Sequence, residues 1–504
     1  MKFSAGAMFV FSAFLLQVSA RPGSSPALKP RRTSSLLINP DPQPDLPSAS
    51  SARTAAAAAS LNLDDIQGDI LIGMKKKKEL FFFFGISNVT EFKARLRSDI
   101  HPLITTTNQL LSVSTQPITA LNIAFSFTGL NALGVTDSLL DTPFENGQFS
   151  DAGALGDPGT GNWVAGLAGT SVHGVFLLAS DTLQNIDDEL DNLLNILGDS
   201  VTEIHRLQGE ARPGSQEGHE HFGYMDGISQ PAVDGFTTNV MPGQSIVQPG
   251  VFLLGEDGDT NVRPSWAKGG SFLAFRQLKQ LVPEFNKFLT DNPLTVPGLT
   301  TEQNSDLLGA RMIGRWKSGA PVDLAPLFDD PVLAADPTLN NDFTFEHPGE
   351  SLQSNQTRCP FSAHIRKTRP RADFNPANTR NQIIRAGIPY GPEVTDEEAT
   401  SGQSDNSLER GLAFVSYQAS LDQGFRFMQQ VWVNNANFIF GKSDPTPGVD
   451  PIIGALAGAQ RPISGLDPLD ATHDITLQTD FVVSRGGEYF FSPPLSAILD
   501  PITA

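Results

Sequence analysis

Between residues 79 and 207 the chain alternates short apolar runs with helical stripes in the order β-α-β-β-α-β, and few folds accept that order. Glu79-Leu80-Phe81-Phe82-Phe83-Phe84-Gly85-Ile86 is an aromatic run of strand length, and Thr90 to about Ile104 has helical spacing. Ala120 to Phe127 and His173 to Ala179 read as strands, separated by a Gly-rich surface excursion from Gly147 to Gly169. Leu183, Ile186, Leu190, Leu193, Leu194 and Leu197 form one helical stripe, with Asp181 or Thr182 placed to cap its start and Gly198 to end it. Val201 to Leu207 then alternates as a strand. This is the ferredoxin-like plan, predicted over 61–235. Strand-like Gly270 to Phe275, Gly411 to Tyr417 and Glu488 to Phe491 suggest a second, longer copy over 236–504. The expected class is α+β, with two ferredoxin-like domains of antiparallel sheet and packed helices.

Ahead of these units, Lys2, the apolar Met8 to Leu16 and Val18-Ser19-Ala20 read as a signal peptide over 1–20, which implies a secreted protein. Residues 21–60, rich in Pro, Ser and Ala, read as a propeptide or disordered leader. Cys359 is the single cysteine, so no intrachain disulfide or thiolate metal cluster can form, and stability must come from a large core. A net charge of −20 argues against nucleic acid and anionic membrane surfaces as partners. Nothing after the leader reads as transmembrane. Asn88-Val89-Thr90 and Asn355-Gln356-Thr357 are glycosylation sequons. Nothing in the sequence sets an oligomeric state.

Two stretches could carry chemistry. Arg358 to Arg371 places Arg358, Arg366, Lys367, Arg369 and Arg371 around His364, a field suited to a ligand that combines carboxylates with a metal, such as haem; an ordinary solvated basic loop fits the spacing at least as well. In Gly218 to Pro231, glycines flank Tyr224-Met225-Asp226, which permits a rigidly held carboxylate over a planar ligand, or simply a capped turn. His219 and His221 lie two apart without a helical HExxH, which argues against zinc.

Gly223-Tyr224-Met225-Asp226-Gly227 is similar to the GxxDG motif of the dye-decolorizing peroxidases. His364 with Arg385 downstream, and Asp64-Asp65-Ile66-Gln67-Gly68-Asp69-Ile70 near the start, stand in the same order and context. The chain from 61 to 504 resembles the secreted fungal branch of that family. The resemblance implies one haem b held between the two domains, with His364 as its proximal ligand and Asp450 accepting a hydrogen bond from the other imidazole nitrogen. It implies Asp226 as the distal acid-base toward hydrogen peroxide and Arg385 as the stabiliser of developing charge and a propionate partner. Leu412 and Phe414 would line the distal pocket, and Arg366, Arg369 and Arg371 would meet propionates. Trp432 and Tyr390 align with surface aromatics that pass electrons from bulky aromatic or dye reductants; a buried core position is equally open to each. Trp163, Trp266 and Trp316 lack such support. The competing functions are a haem-carrying or sensing protein without turnover and an extracellular hydrolase built on paired carboxylates.

Overall fold

The computed structural model describes residues 46–74, 77–169, 171–442 and 445–504, so the signal peptide and most of the expected leader lie outside the described residues. Among the described residues, nine strands form the main sheet: β1 (Lys78–Ile86), β2 (Ala120–Phe125), β3 (Gly174–Ser180), β4 (Val201–Glu210), β5 (Ser271–Gln280), β6 (Ile384–Arg385), β7 (Ile388–Tyr390), β8 (Gly411–Gln418) and β9 (Val482–Ser492). Neighbours pair antiparallel in the order β5-β9-β2-β3-β1-β4-β7-β8-β6, and β5 also pairs with β8, which closes a ring. β6 and β7 keep one register against β8, with Arg385 opposite Ser416 and Pro389 opposite Leu412, so they act as one interrupted strand.

The ring resolves into two equivalent halves. Within the first the order is β4-β1-β3-β2, and within the second β9-β5-β8-β7, the same fourth-first-third-second permutation of each half's own strands. The two ferredoxin-like units expected from the sequence are therefore present, but as halves of one barrel. They meet at two narrow seams, Gly209 opposite Tyr390 and Phe125 opposite Phe491.

Strand alternation sorts the apolar residues onto two faces. Phe81 and Phe83, Val175 and Leu177, Leu273 and Phe275, Ala413, Val415 and Tyr417 fill the barrel interior. Leu80, Phe82 and Phe84 face outward, where the helix α1 (Leu183–Leu197) covers them with Ile186, Leu190, Leu193 and Leu197. Its start is capped by Thr182 Oγ1, which accepts from Asn185 N at 3.2 Å.

Part of the expected leader is ordered. Residues Ala49–Ala58 form a helix whose Ala52 and Ala56 are buried in the interior cluster. Alanine favours helix, and its small side chain allows close approach: a Cβ on Gly235 would stand 2.4 Å from that of Ala59. The reading of 21–60 as a disordered leader therefore does not hold for this helix.

Candidate active site

In the first half, helices follow the crossovers and blanket the outer sheet face. In the second half the crossovers are long, and the outer face of β5, β8 and β9 instead walls a cavity of about 300 Å³. Arg276, Leu278 and Gln280, Leu412 and Phe414, and Val482 and Ser484 supply that wall. His364 comes from the crossover after β5, Asp450 from the crossover after β8, and Asp226 from the link between the halves. Among the described residues, almost all of the lining is drawn from 220–484, with Asp157 the one contribution from earlier in the chain. The cavity thus lies against the outer face of the second half and is closed by 220–231, the end of the first expected unit, so residues of both expected units line it.

His364 opens a short helix, His364–Thr368, and its side chain keeps 28% of its surface, toward the cavity. Its Nδ1 lies 2.7 Å from Asp450 Oδ2. Asp450 is fully buried, and its Oδ1 accepts from Ile452 N at 2.8 Å and Ile453 N at 3.0 Å. A carboxylate fixed this way orients the ring, commits Nδ1, and leaves Nε2 free to bind a metal. Burial works against the protonated ring, but the charge and hydrogen bond of Asp450 outweigh it and hold the imidazole above its ordinary value.

Asp226 lies on the same cavity, its side chain 40% exposed to it. Arg385 Nη1 donates to Asp226 Oδ1 at 2.7 Å, and Gly227 N donates to the same oxygen at 2.6 Å. Gly223 and Gly227 take φ of +93° and +77°, which side-chain-bearing residues rarely adopt, so the glycines of the motif serve the turn. Burial would raise the Asp226 carboxyl; the charge and hydrogen bond of Arg385, with Gly227 N–H and His364, bring it below the usual carboxylate range. A second cavity of about 150 Å³ shares Asp226, Arg385, Gln230 and Leu412 with the first.

Three further residues escaped the sequence reading. Gln230 clamps the Arg385 backbone, donating to its carbonyl at 2.5 Å and accepting from its N–H at 3.1 Å. Half-buried Glu220 holds the loop before Asp226 by accepting from Phe222 N and Tyr224 N, each at 2.9 Å. Arg315 lines the cavity beside Arg369 and Arg371, and burial lowers all three guanidinium groups, to about 9, about 10 and about 9. A cluster of desolvated cations suits a ligand with carboxylates. With the apolar lining and the available imidazole nitrogen, the donor set fits haem.

Arg366 departs from expectation. It is buried against Asp373, with Nε and Nη2 each donating at 2.8 Å, and it does not line this cavity. Its position two residues after His364 on a helical turn directs it away from that side chain. Trp432 and Tyr390 are not surface residues either: they are 1% and 4% exposed. Trp432 packs among Phe374, Phe427 and Phe438 on a turn of π-helix, Met428–Val433, whose Met428, Gln429 and Val433 face the cavity. Tyr390 lies on the interior face of the barrel wall. Leu412 and Phe414 line the cavity.

Residues 65–213 match the family model described as DyP dimeric alpha+beta barrel domain, and residues 222–438 match that of Dyp-type peroxidase, C-terminal. The class is that of α+β-barrel peroxidases. The chain is 65% identical to Peroxidase 2 of Mycetinis scorodonius over 491 residues, covering 95% of each. It is 53% identical to dye-decolorizing peroxidase AauDyP1 of Auricularia auricula-judae, covering 95% of this chain and 94% of the relative. A crystal structure of a fungal DyP-type peroxidase from Auricularia auricula-judae superposes with a TM-score of 0.86 at 54% identity, over 88% of this chain and 99% of that one. The chain belongs to the dye-decolorizing peroxidase family.

Proposed function

We propose that this peroxidase is secreted, binds one haem b through His364 Nε2, and uses hydrogen peroxide to oxidise dyes, phenolics and other bulky aromatic compounds. The observation that supports it best is the placement of the His364–Asp450 pair and the Asp226–Arg385 pair on one cavity. Bound haem would supply the redox centre that takes up the oxidising equivalents of peroxide. Asp226 takes a proton from one peroxide oxygen and returns it to the departing oxygen as water forms. Arg385 orients Asp226 and offsets the negative charge that develops between them. Arg315, Arg369 and Arg371 receive the propionates, and Leu412 and Phe414 exclude water from the distal side. Because both candidate aromatics are buried, electrons from a bulky reductant reach the cavity through the protein matrix, by way of Trp432 or Tyr390.

The test is the visible spectrum of the secreted protein at acid pH. A Soret band that changes with one equivalent of peroxide and returns on adding a dye is the expected result. A Soret band inert to peroxide would leave a haem carrier, and none after reconstitution with haem would reject the cofactor.

A further inference from the structure

Tyr390 and Trp432 are buried alike, and around Tyr390 hydrogen bonds lead to a carboxylate, whereas the ring contacts of Trp432 among the described residues are to phenylalanines. Tyr390 Oη donates to Glu409 Oε1 at 2.9 Å. Gln277 Nε2 donates to the same oxygen at 2.8 Å, and Gln277 Oε1 stands 3.1 Å from His205 Nε2. Arg485 Nε donates to Glu409 Oε2 at 2.9 Å. Glu409 is therefore faced by Tyr390 from β7, Gln277 from β5 and Arg485 from the irregular part of β9, with His205 of β4 behind Gln277. Trp432 is surrounded by Phe374, Phe427 and Phe438, which accept no proton.

The chemistry of the two rings makes this difference matter. An indole that loses an electron is a much weaker acid than an oxidised phenol, so it can remain a radical cation where no acceptor is at hand. A phenol that loses one becomes a strong acid, so its proton must leave with the electron, and a phenol shut off from bulk water needs an acceptor already in contact. Burial, followed by the charge of Glu409, pushes the Tyr390 hydroxyl far up, so it starts protonated.

We propose that Glu409 is the proton acceptor for one-electron oxidation of Tyr390, a role that rests on the reading of Tyr390 as an electron carrier. The oxidant is the enzyme holding the oxidising equivalents of hydrogen peroxide. One electron leaves Tyr390 toward the cavity, the phenolic O–H bond breaks, and the proton forms a new O–H bond at Glu409 Oε1, leaving a neutral tyrosyl radical beside a neutral carboxylic acid. When an aromatic reductant returns one electron, the proton moves back from Glu409 and the phenol is restored. Arg485 and Gln277 hold the carboxylate so that Oε1 faces the hydroxyl in both states.

The sheet also explains how Tyr390 can serve the cavity. Pro389 and Leu412 are register partners, and Leu412 lines the cavity; Tyr390, the next residue, points to the opposite face. One layer of strand therefore separates the tyrosine from the cavity.

The haem-loaded enzyme is mixed with one equivalent of peroxide without reductant, freeze-quenched and read by high-field electron paramagnetic resonance. The native enzyme is expected to show a tyrosyl signal whose g1 component is lowered by a hydrogen bond from protonated Glu409. Tyr390→Phe removes that signal. Glu409→Gln reduces it by roughly tenfold or more, with cofactor absorbance unchanged. Glu409→Asp keeps a signal with a shifted g1. A Glu409→Gln signal of native size and g1 overturns the proposal while Tyr390 remains an electron carrier. A native signal that survives Tyr390→Phe overturns the reading of Tyr390 and the proposal with it. Should Glu409→Gln not fold, Glu409→Asp decides, since an unchanged g1 also overturns the role.

Discussion

The two halves of the barrel share one strand permutation and use it oppositely. In the first half, β1 to β4 take up residues 78–210, and the helix Leu183–Leu197 lies directly on the outward Leu80, Phe82 and Phe84. In the second, the equivalent strands extend over residues 271–492, and the long crossovers stand off the sheet to leave a cavity over Leu278, Leu412 and Phe414. The same face that gives stability in one half gives a binding site in the other. Apolar sheet residues do not by themselves determine which; the length and chemistry of the crossovers do.

Exchanging the effects of substitution between the halves would break this comparison. The largest effect on chemistry is expected in the second half: Asp226→Asn should lower the rate constant for reaction with peroxide by roughly 10²–10⁴-fold in stopped flow, while the melting temperature stays close to native. The acid limb of that rate constant carries a sign. As a base Asp226 works ionised, so the rate is lost as pH falls through its lowered value, below the usual carboxylate range. Arg385→Leu removes the main opposing charge and should move the loss to higher pH. In the first half, Leu190→Ala should cost about 2–5 kcal/mol in denaturant unfolding by opening space under the helix, with the peroxide rate of the folded fraction unchanged. Asp450→Asn should weaken retention of haem by roughly 10–100-fold in a transfer assay, because the imidazole loses its fixed acceptor. The smallest effect is Thr182→Ala, about 1 kcal/mol of stability from a lost helix cap, with no change in haem retention.

Much of this comparison was legible in the sequence because it rests on local signals. Period-two and helical spacing disclosed the first half, whereas the residues that touch one another at the site, His364 with Asp450 and Asp226 with Arg385, came from the resemblance to the family. Closure of the ring was not legible, since pairing of β9 with both β2 and β5 joins residues hundreds of positions apart and leaves no local period. The basic stretch misled at Arg366 for a related reason. Charge can be read from sequence, but direction is set by a partner, and Asp373 draws Arg366 inward while Arg315, outside the stretch, takes a place on the cavity. Burial of Trp432 depends likewise on Phe438 and Phe374, which only the fold brings together.

Ring closure has a consequence beyond the site. A sheet with free margins presents unpaired amide and carbonyl groups, and another copy of the chain can add a strand there. Here the first half meets the second at Gly209–Tyr390 on one side and Phe125–Phe491 on the other, so each half occupies the margin that the other would leave open. The same two narrow contacts that make one barrel of two similar units also keep those units from recruiting their counterparts in neighbouring molecules, a safeguard against aggregation that needs no disulfide.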